Sequence, residues 1–341
     1  MKVLHTPLNL ASDAWSLVKG LRAIGVDAHL ATISENIFVN SGDIDLTFKD
    51  CNSLARQYKK WRFVRKEMAQ YDVVHFHTGH SILDYGNGPF MLMDMKTAHR
   101  RGQTIAVTYH GCEVRNLQEG GCPWPCSAPV CLLNNRQGRF DEAMKYADLV
   151  YVTTPDLLPA VPGAMLLPQS VWGIEANPLI PPSNQLPMRI VHAPSRRSTK
   201  GTESIIETCN SLVSEGLDID FRLVENATHE QALNEMSKAD VVIDHVQIGW
   251  YCVVSVEAAS YGKPVVVSFD DGYVKLSGMQ RPPFSQATKA TLGEVLRKLY
   301  AQRDDLADIG LKNREFVLKR HDAILNAQRV LSDYEKIAHL K

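Results

Sequence analysis

An α/β protein of two consecutive doubly wound units is predicted by three features of this sequence. Short β-rich runs alternate with helical patterns, a proline-rich stretch interrupts them near mid-chain, and the alternation then restarts. Lys2–His5 reads as a first strand, and Ser12 or Asp13 is placed to cap a helix through Leu21 that stops near Gly25. Asp27–Thr32 and Val73–His77 read as strands and Met91–Arg101 has helical character. Thr104–Tyr109 and Asp148–Thr153 return to strand, and Thr154-Pro155-Asp156-Leu157 starts another helix. Breakers crowd the stretch from Pro168 to Pro187, so residues 171–187 are expected to link a domain of residues 1–170 to one of residues 188–320. In the second domain the strands are Arg189–Ala193, Asp220–Val224, Asp240–His245 and Pro264–Phe269, and Thr228 with Gln231 fits a capping box. From His321 to Leu340 apolar residues recur mostly at three- and four-residue steps, a helical face wider than one more surface helix needs.

The chain has 341 residues, comfortable for two cores, with 45% hydrophobic and 22% charged residues. A net charge of −1 gives no overall attraction to nucleic acid or membrane, so such attraction must come from local patches. No apolar run approaches membrane-spanning length, and the start Met1-Lys2-Val3-Leu4-His5 is too mixed for a signal peptide. Seven cysteines, an odd number, argue against a disulfide framework. A cytoplasmic location is expected, and a second one at the inner face of the membrane is kept open below.

The stretch from His192 to Thr202, His-Ala-Pro-Ser-Arg-Arg-Ser-Thr-Lys-Gly-Thr, follows an apolar run and precedes a helical pattern. A cationic loop opening onto a helix N-terminus suits a diphosphate, because free backbone N–H groups, the helix dipole and side-chain cations all point one way. Arginine supplies a planar fork and lysine a mobile point charge. In open α/β sheets ligands sit beyond the carboxyl ends of the strands, and His75, His110, Ser195 and Gly249 fall at or just past such ends. His75 and His77 share one strand face while Phe76 takes the other, and packing is the expected role of at least one of the two histidines.

Four segments in order carry a family resemblance: Asp72 to His77, His110 to Arg115, Pro194 to Gly201 and Glu257 to Pro264. Together they resemble the landmarks of retaining glycosyltransferases of the GT-B fold, the glycogen-synthase-like and mannosyltransferase-like group known as glycosyltransferase family four. The resemblance spans roughly residues 1–335. It implies two Rossmann-like domains facing each other across a cleft, with the C-terminal helix, residues 321–341, crossing back to the first domain. It implies that Arg197 or Arg196 and Lys200 hold the diphosphate of a nucleotide sugar, with Ser195 beside them. Glu257 corresponds to a glutamate at a helix N-terminus that binds ribose hydroxyls. Gly249, eight positions earlier, stands where the family has a second glutamate contacting the donor sugar, and Tyr251 adjoins it. His110 resembles a histidine that faces the donor sugar.

The reaction implied retains anomeric configuration, with the leaving phosphate accepting the acceptor's proton. That chemistry asks for charge stabilisation and positioning and not for a metal. Asp43–Asp45 and Asp218–Asp220 read as turn residues, and no catalytic metal or cofactor is expected. The partners implied are a nucleotide sugar and a glycan, lipid-linked or polymeric acceptor, with no stable nucleic-acid complex. Two rivals stay open, a sugar-nucleotide 2-epimerase on the same fold and a degenerate sugar-nucleotide-binding protein, the latter motivated by Gly249.

Cys112, Cys122, Cys126 and Cys131 lie within one glycine- and proline-rich loop, separated by nine, three and four residues. They are candidate ligands of a structural Zn²⁺, with reduced thiols and a local disulfide as the other readings. Arg56 to Lys66 carries six Lys or Arg with Tyr58, Trp61 and Phe63 in a helical pattern. Such a helix suits an anionic membrane surface or a phosphate-rich acceptor, or is simply a solvated face over the core.

Overall fold

The computed structural model describes residues 1–33, 42–83, 91–115, 117 and 136–341. The described residues up to Trp172, together with Ala323–Lys341, form one compact unit, and Gly173–Asp322 form another.

In chain order the first unit contains β1 (Lys2–Thr6), α1 (Asp13–Ala23), β2 (Asp27–Thr32), β3 (Ile44–Asp45), α2 (Ser53–Arg62) and β4 (Val73–His77). It continues with α3 (Met93–Arg100), β5 (Thr104–Tyr109), α4 (Cys112–Arg115), α5 (Arg136–Met144), β6 (Leu149–Val152) and β7 (Met165–Leu166). The seven strands make one sheet in the order β3-β2-β1-β4-β5-β6-β7. Its strands pair in parallel, with His5 opposite His75 and Thr108 opposite His77. The segment after Thr154 is a 3-10 helix, Pro155–Ala160, because Pro159 inside it removes a donor that an α-helix requires.

Period-two alternation in Val73-Val-His-Phe-His77 sorts its side chains between two cores. Val74 and Phe76 join the cluster that includes Phe63, Met68, Met95 and Val107. Val73 lies on the opposite face, where Ala14, Leu17, Val18 and Leu21 of α1 meet Ala327, Val330 and Tyr334. The last three belong to α13 (Ala323–Leu340), which packs on α1. Gly20 makes that packing close, since a Cβ there would lie 2.1 Å from the Ala323 carbonyl oxygen.

The start of α1 differs from expectation. Ser12 has φ of 59° and caps nothing through its side chain. Asp13 is buried and accepts from the Ser170 N–H at 2.5 Å. The carboxylate is spent on tertiary structure, a use that capping preferences do not encode.

The second unit runs β8 (Met188–His192), α6 (Arg197–Lys200), α7 (Thr202–Ser214), β9 (Ile219–Leu223), α8 (His229–Ser237), β10 (Val241–His245), α9 (Val253–Ser260) and β11 (Val265–Val267). It ends with α10 (Asp271–Ser277), β12 (Ser285–Gln286), α11 (Leu292–Ala301) and α12 (Leu306–His321). Its sheet order is β12-β11-β10-β8-β9, with all pairings parallel. The capping box of α8 is complete: the Gln231 N–H donates to Thr228 Oγ1 at 3.2 Å and the Thr228 N–H to Gln231 Oε1 at 2.8 Å. Residues 173–187 are tied to this unit and are no free connector. Ile180 N–H reaches the Tyr261 carbonyl at 2.9 Å, and both the N–H and the hydroxyl of Ser183 donate to Asp240. No helix among the described residues is long and apolar enough to cross a membrane.

Candidate functional sites

In the second unit, β8 delivers the chain to a loop and the one-turn helix α6, which Gly201 ends. Gly201 has φ of +73°, and a Cβ would stand 2.7 Å from Val246, so the turn into α7 needs glycine twice over. Below the loop, the His192 ring joins the Ile243 carbonyl through Nδ1 at 2.8 Å and Thr202 Oγ1 through Nε2 at 2.9 Å. Burial lowers its pKa to about 4, so it is a neutral strut between β8, β10 and α7.

The cations of this loop divide into two kinds. Lys200 points inward, 5% exposed, with its ammonium 2.5 Å from Asp244 Oδ1 at the end of β10. Asp244 also accepts from the Cys252 N–H at 2.8 Å and from Ser255 Oγ at 2.7 Å. Burial alone would lower the Lys200 pKa, but the Asp244 carboxylate outweighs it and holds the ammonium above its ordinary range. Burial would likewise raise Asp244, and Lys200 foremost reverses that, keeping the carboxyl far below the usual range. Arg196 and Arg197 point outward and are exposed, as is Ser195. The Arg197 guanidinium lies 3.0 Å from Glu203 and 3.6 Å from Glu225. Thr199 Oγ1 is buried with no hydrogen-bond partner among the described residues, an available polar atom in the same turn.

Glu257 is buried in the second turn of α9, not at the helix start, so the expectation of first-turn dipole stabilisation is not met. Its charge is met instead by His229 at the start of α8, whose Nε2 stands 2.6 Å from Oε1. That hydrogen bond raises the His229 pKa against the opposing effect of burial. Gly249 lies in the buried turn between β10 and α9, where its carbonyl accepts from the Asp270 N–H at 3.0 Å. Tyr251 is buried among Trp250, Phe284, Phe316 and His321, and its hydroxyl is 2.9 Å from His321 Nε2.

In the first unit the carboxyl ends of β1, β4 and β5 bring four imidazoles into one row. His5 Nδ1 is 3.0 Å from His77 Nε2, and His77 Nδ1 is 3.1 Å from His110 Nε2. His110 Nδ1 lies 3.9 Å from Asp13. His75 is held between Tyr334 and Thr108, at 2.6 Å on each side. The shared face of His75 and His77 is therefore the one that α1 and α13 cover. Burial lowers the pKa of His5 to about 3 and drives His75 and His77 well below the ordinary histidine value. Burial raises that of Asp13, against the pull of His110 and the Ser170 N–H. The His75 and His77 rings stack at 12° between planes, and His5 tilts from them by 32° to 35°. One ligand atom from each of His5, His75 and His77 lies within 4.8 Å of the others, and the same is true of Asp13, His77 and His110.

Of the four cysteines in the candidate zinc loop, Cys112 begins α4, whereas Cys122, Cys126 and Cys131 lie outside the described residues. Asp43, Asp45 and Asp220 of the two Asp-x-Asp pairs serve the structure around them. Asp43 accepts from the Leu30 N–H and from Arg22, Asp45 from the Thr47 N–H, and Asp220 pairs with Arg189 and Arg222.

Sequence reasoning passed over Asp244, His229 and His5, and read Asp13 as a helix cap. A signal existed for Asp244: a carboxylate ending the apolar run Val241-Val-Ile requires a buried cation, and Lys200 is one strand away.

No protein-family model and no curated protein matches this sequence. Solved structures do match across the whole length. Sucrose-phosphate synthase from Thermosynechococcus elongatus is 15% identical, with all of both chains covered and a TM-score of 0.65. Anabaena HepE in complex with UDP-glucose is 13% identical over 98% of this chain and 100% of its own, with a TM-score of 0.62. A putative UDP-N-acetylglucosamine 2-epimerase from Listeria monocytogenes is 13% identical over 97% and 94%, with a TM-score of 0.50. The chain has the fold of the GT-B glycosyltransferases.

Proposed function

We propose that this chain transfers a sugar from a nucleotide-sugar donor to an acceptor hydroxyl, with retention of anomeric configuration and without a catalytic metal. The loop between β8 and α7 carries the reading. Its two arginines face outward at the start of a helix, and its lysine is locked on Asp244 beneath them. Arg196, Arg197, Ser195 and the backbone N–H groups there are assigned to the diphosphate. Lys200 shares its three ammonium donors among Asp244, the Cys252 side chain and the anion. Glu257 is assigned to the ribose hydroxyls, where the diol takes the place of His229. Gly249 is assigned to the sugar, Tyr251 to holding that turn through His321, and His110 to the transferred sugar. In the step itself, the bond from the anomeric carbon to the phosphate oxygen breaks as the acceptor oxygen bonds on the same face. The acceptor's proton passes to the departing phosphate.

Thermal melting against UDP-, GDP-, ADP- and TDP-sugars tests the donor assignment. Ligand at one hundred times its Kd adds about 2.7 kcal/mol, so one class is expected to raise Tm by several degrees and Arg197→Ala to abolish the rise. A flat panel ends the reading. With the donor known, Glu257→Gln is expected to raise KM about ten-fold or more while kcat changes less, since a ribose contact binds ground and transition states alike. An unchanged KM removes Glu257 from the site. Similarity to the epimerase fold keeps a second reading in view. Isomerisation of the donor with no acceptor present distinguishes it from transfer.

A further inference from the structure

Beyond the donor loop lies a surface that the proposed reaction leaves unused. Helix α2 buries none of its ten residues. Leu54, Tyr58 and Trp61 fall at i, i+4 and i+7 and share its outer side, being 85%, 63% and 44% exposed. The Tyr58 and Trp61 rings stack at 6.4 Å, and the Arg65 guanidinium sits 5.1 Å from the Trp61 ring centre. Phe63, half a turn round, turns into the core. Lys59, Arg62, Arg65 and Lys66 are exposed around the apolar ridge, and no acidic residue stands between Cys51 and Lys66. Arg101 extends the charge, donating to the Val64 and Arg65 carbonyls at 2.8 and 2.9 Å. Burial and then the neighbouring Arg100 and Arg65 lower its pKa, a sign of crowded positive charge.

We propose that this face of α2 docks on an anionic lipid bilayer, with Leu54, Tyr58 and Trp61 entering the interface and the surrounding cations meeting the headgroups. An apolar ridge within a cationic border is the pattern of helices that lie in the membrane plane. A nucleic acid satisfies the arginines and stacks on the rings, but it offers nothing for the most exposed leucine of the described chain. The inference does not rest on sugar transfer, and its test uses neither donor nor acceptor.

Co-sedimentation of the full chain with vesicles of phosphatidylcholine, alone and with one-third phosphatidylglycerol, reads the docking. Binding is expected on the anionic vesicles only. It is expected to fall about ten-fold or more in Leu54→Asp and in the Arg62→Glu, Arg65→Glu pair, with circular dichroism unchanged because these side chains are exposed. Quenching by brominated lipid is expected in the wild type and to weaken in Trp61→Phe. Equal binding to both vesicles, no binding to either, variants that bind as the wild type does, or tighter binding to a short DNA duplex than to the anionic vesicles overturns the proposal.

Discussion

Lys200→Ala is expected to cost about 3–5 kcal/mol of stability, the penalty for leaving a buried charge without its partner, and to lower turnover by two to three orders of magnitude as for loss of a preorganised charge. Asp244 would remain inside the second unit facing the Cys252 N–H, the Ser255 hydroxyl and the neighbouring His245 without its ammonium partner. Denaturant melts and steady-state rates separate the two losses. Lys200→Met combined with Asp244→Asn removes both charges, and it is expected to regain much of the stability and none of the activity. A single variant that melts like the wild type shows that the pair is not buried in solution. The pair also fixes a pH window. Asp244 is depressed in the folded state, so its contribution is present above the ordinary carboxylate pKa and is lost as pH falls through the depressed one. Lys200 is raised, so its contribution is complete below the ordinary lysine pKa and is lost as pH rises through the raised one. Between those limits the pair's contribution is expected to be flat. The difference in ΔG between the wild type and the Lys200→Met, Asp244→Asn chain from pH 5 to 9 checks it, because the difference cancels the slope that the buried neutral histidines impose below their ordinary pKa.

Truncation after Asp322 is expected to cost the first unit its cooperative fold. Burying a side chain the size of Val330 or Tyr334 contributes about 1.5–3 kcal/mol. Leu17, Val18 and Leu21 of α1 lose their cover at the same time. The sum reaches the ~5–15 kcal/mol that is the whole stability of a domain. His75 would also lose its 2.6 Å partner, Tyr334. Size-exclusion chromatography and calorimetry are expected to show aggregation and the loss of one transition. Gly20→Ala is a milder version, because its Cβ has no room beside the Ala323 backbone. A truncated chain that stays monodisperse and keeps both transitions shows that α13 is not part of the first core.

The strands were legible because period and length declare them: Val73–His77 and Thr104–Tyr109 have the same bounds in sequence and structure. The capping box at Thr228 was legible because it is local. Asp13 looked like a cap and is a tertiary acceptor, since its partner Ser170 is 157 residues away and no local pattern carries that distance. The loop between β8 and α7 was legible as a cationic strand-to-helix turn, but the inward aim of Lys200 and the outward aim of Arg197 were not. That difference depends on Asp244 standing at the end of a neighbouring strand. Glu257 was expected at a helix start, and the structure begins α9 at Val253, one turn earlier. The row of histidines escaped notice because His5 and His75 meet only through parallel pairing of β1 with β4.

The seating of α13 on α1 has a consequence for how the polypeptide is made. Tyr334 follows His75 by 259 residues. At ~5–20 residues per second, roughly 13 to 52 seconds of translation separate the two. The rest of the first unit's sheet and then the whole of Gly173–Asp322 are made in that interval, while the face of α1 carrying Leu17, Val18 and Leu21 waits without its lid. The unit encoded first is therefore the one completed last, and the nascent chain carries a bare apolar seam as a natural docking point for holdase chaperones until α13 arrives to close it.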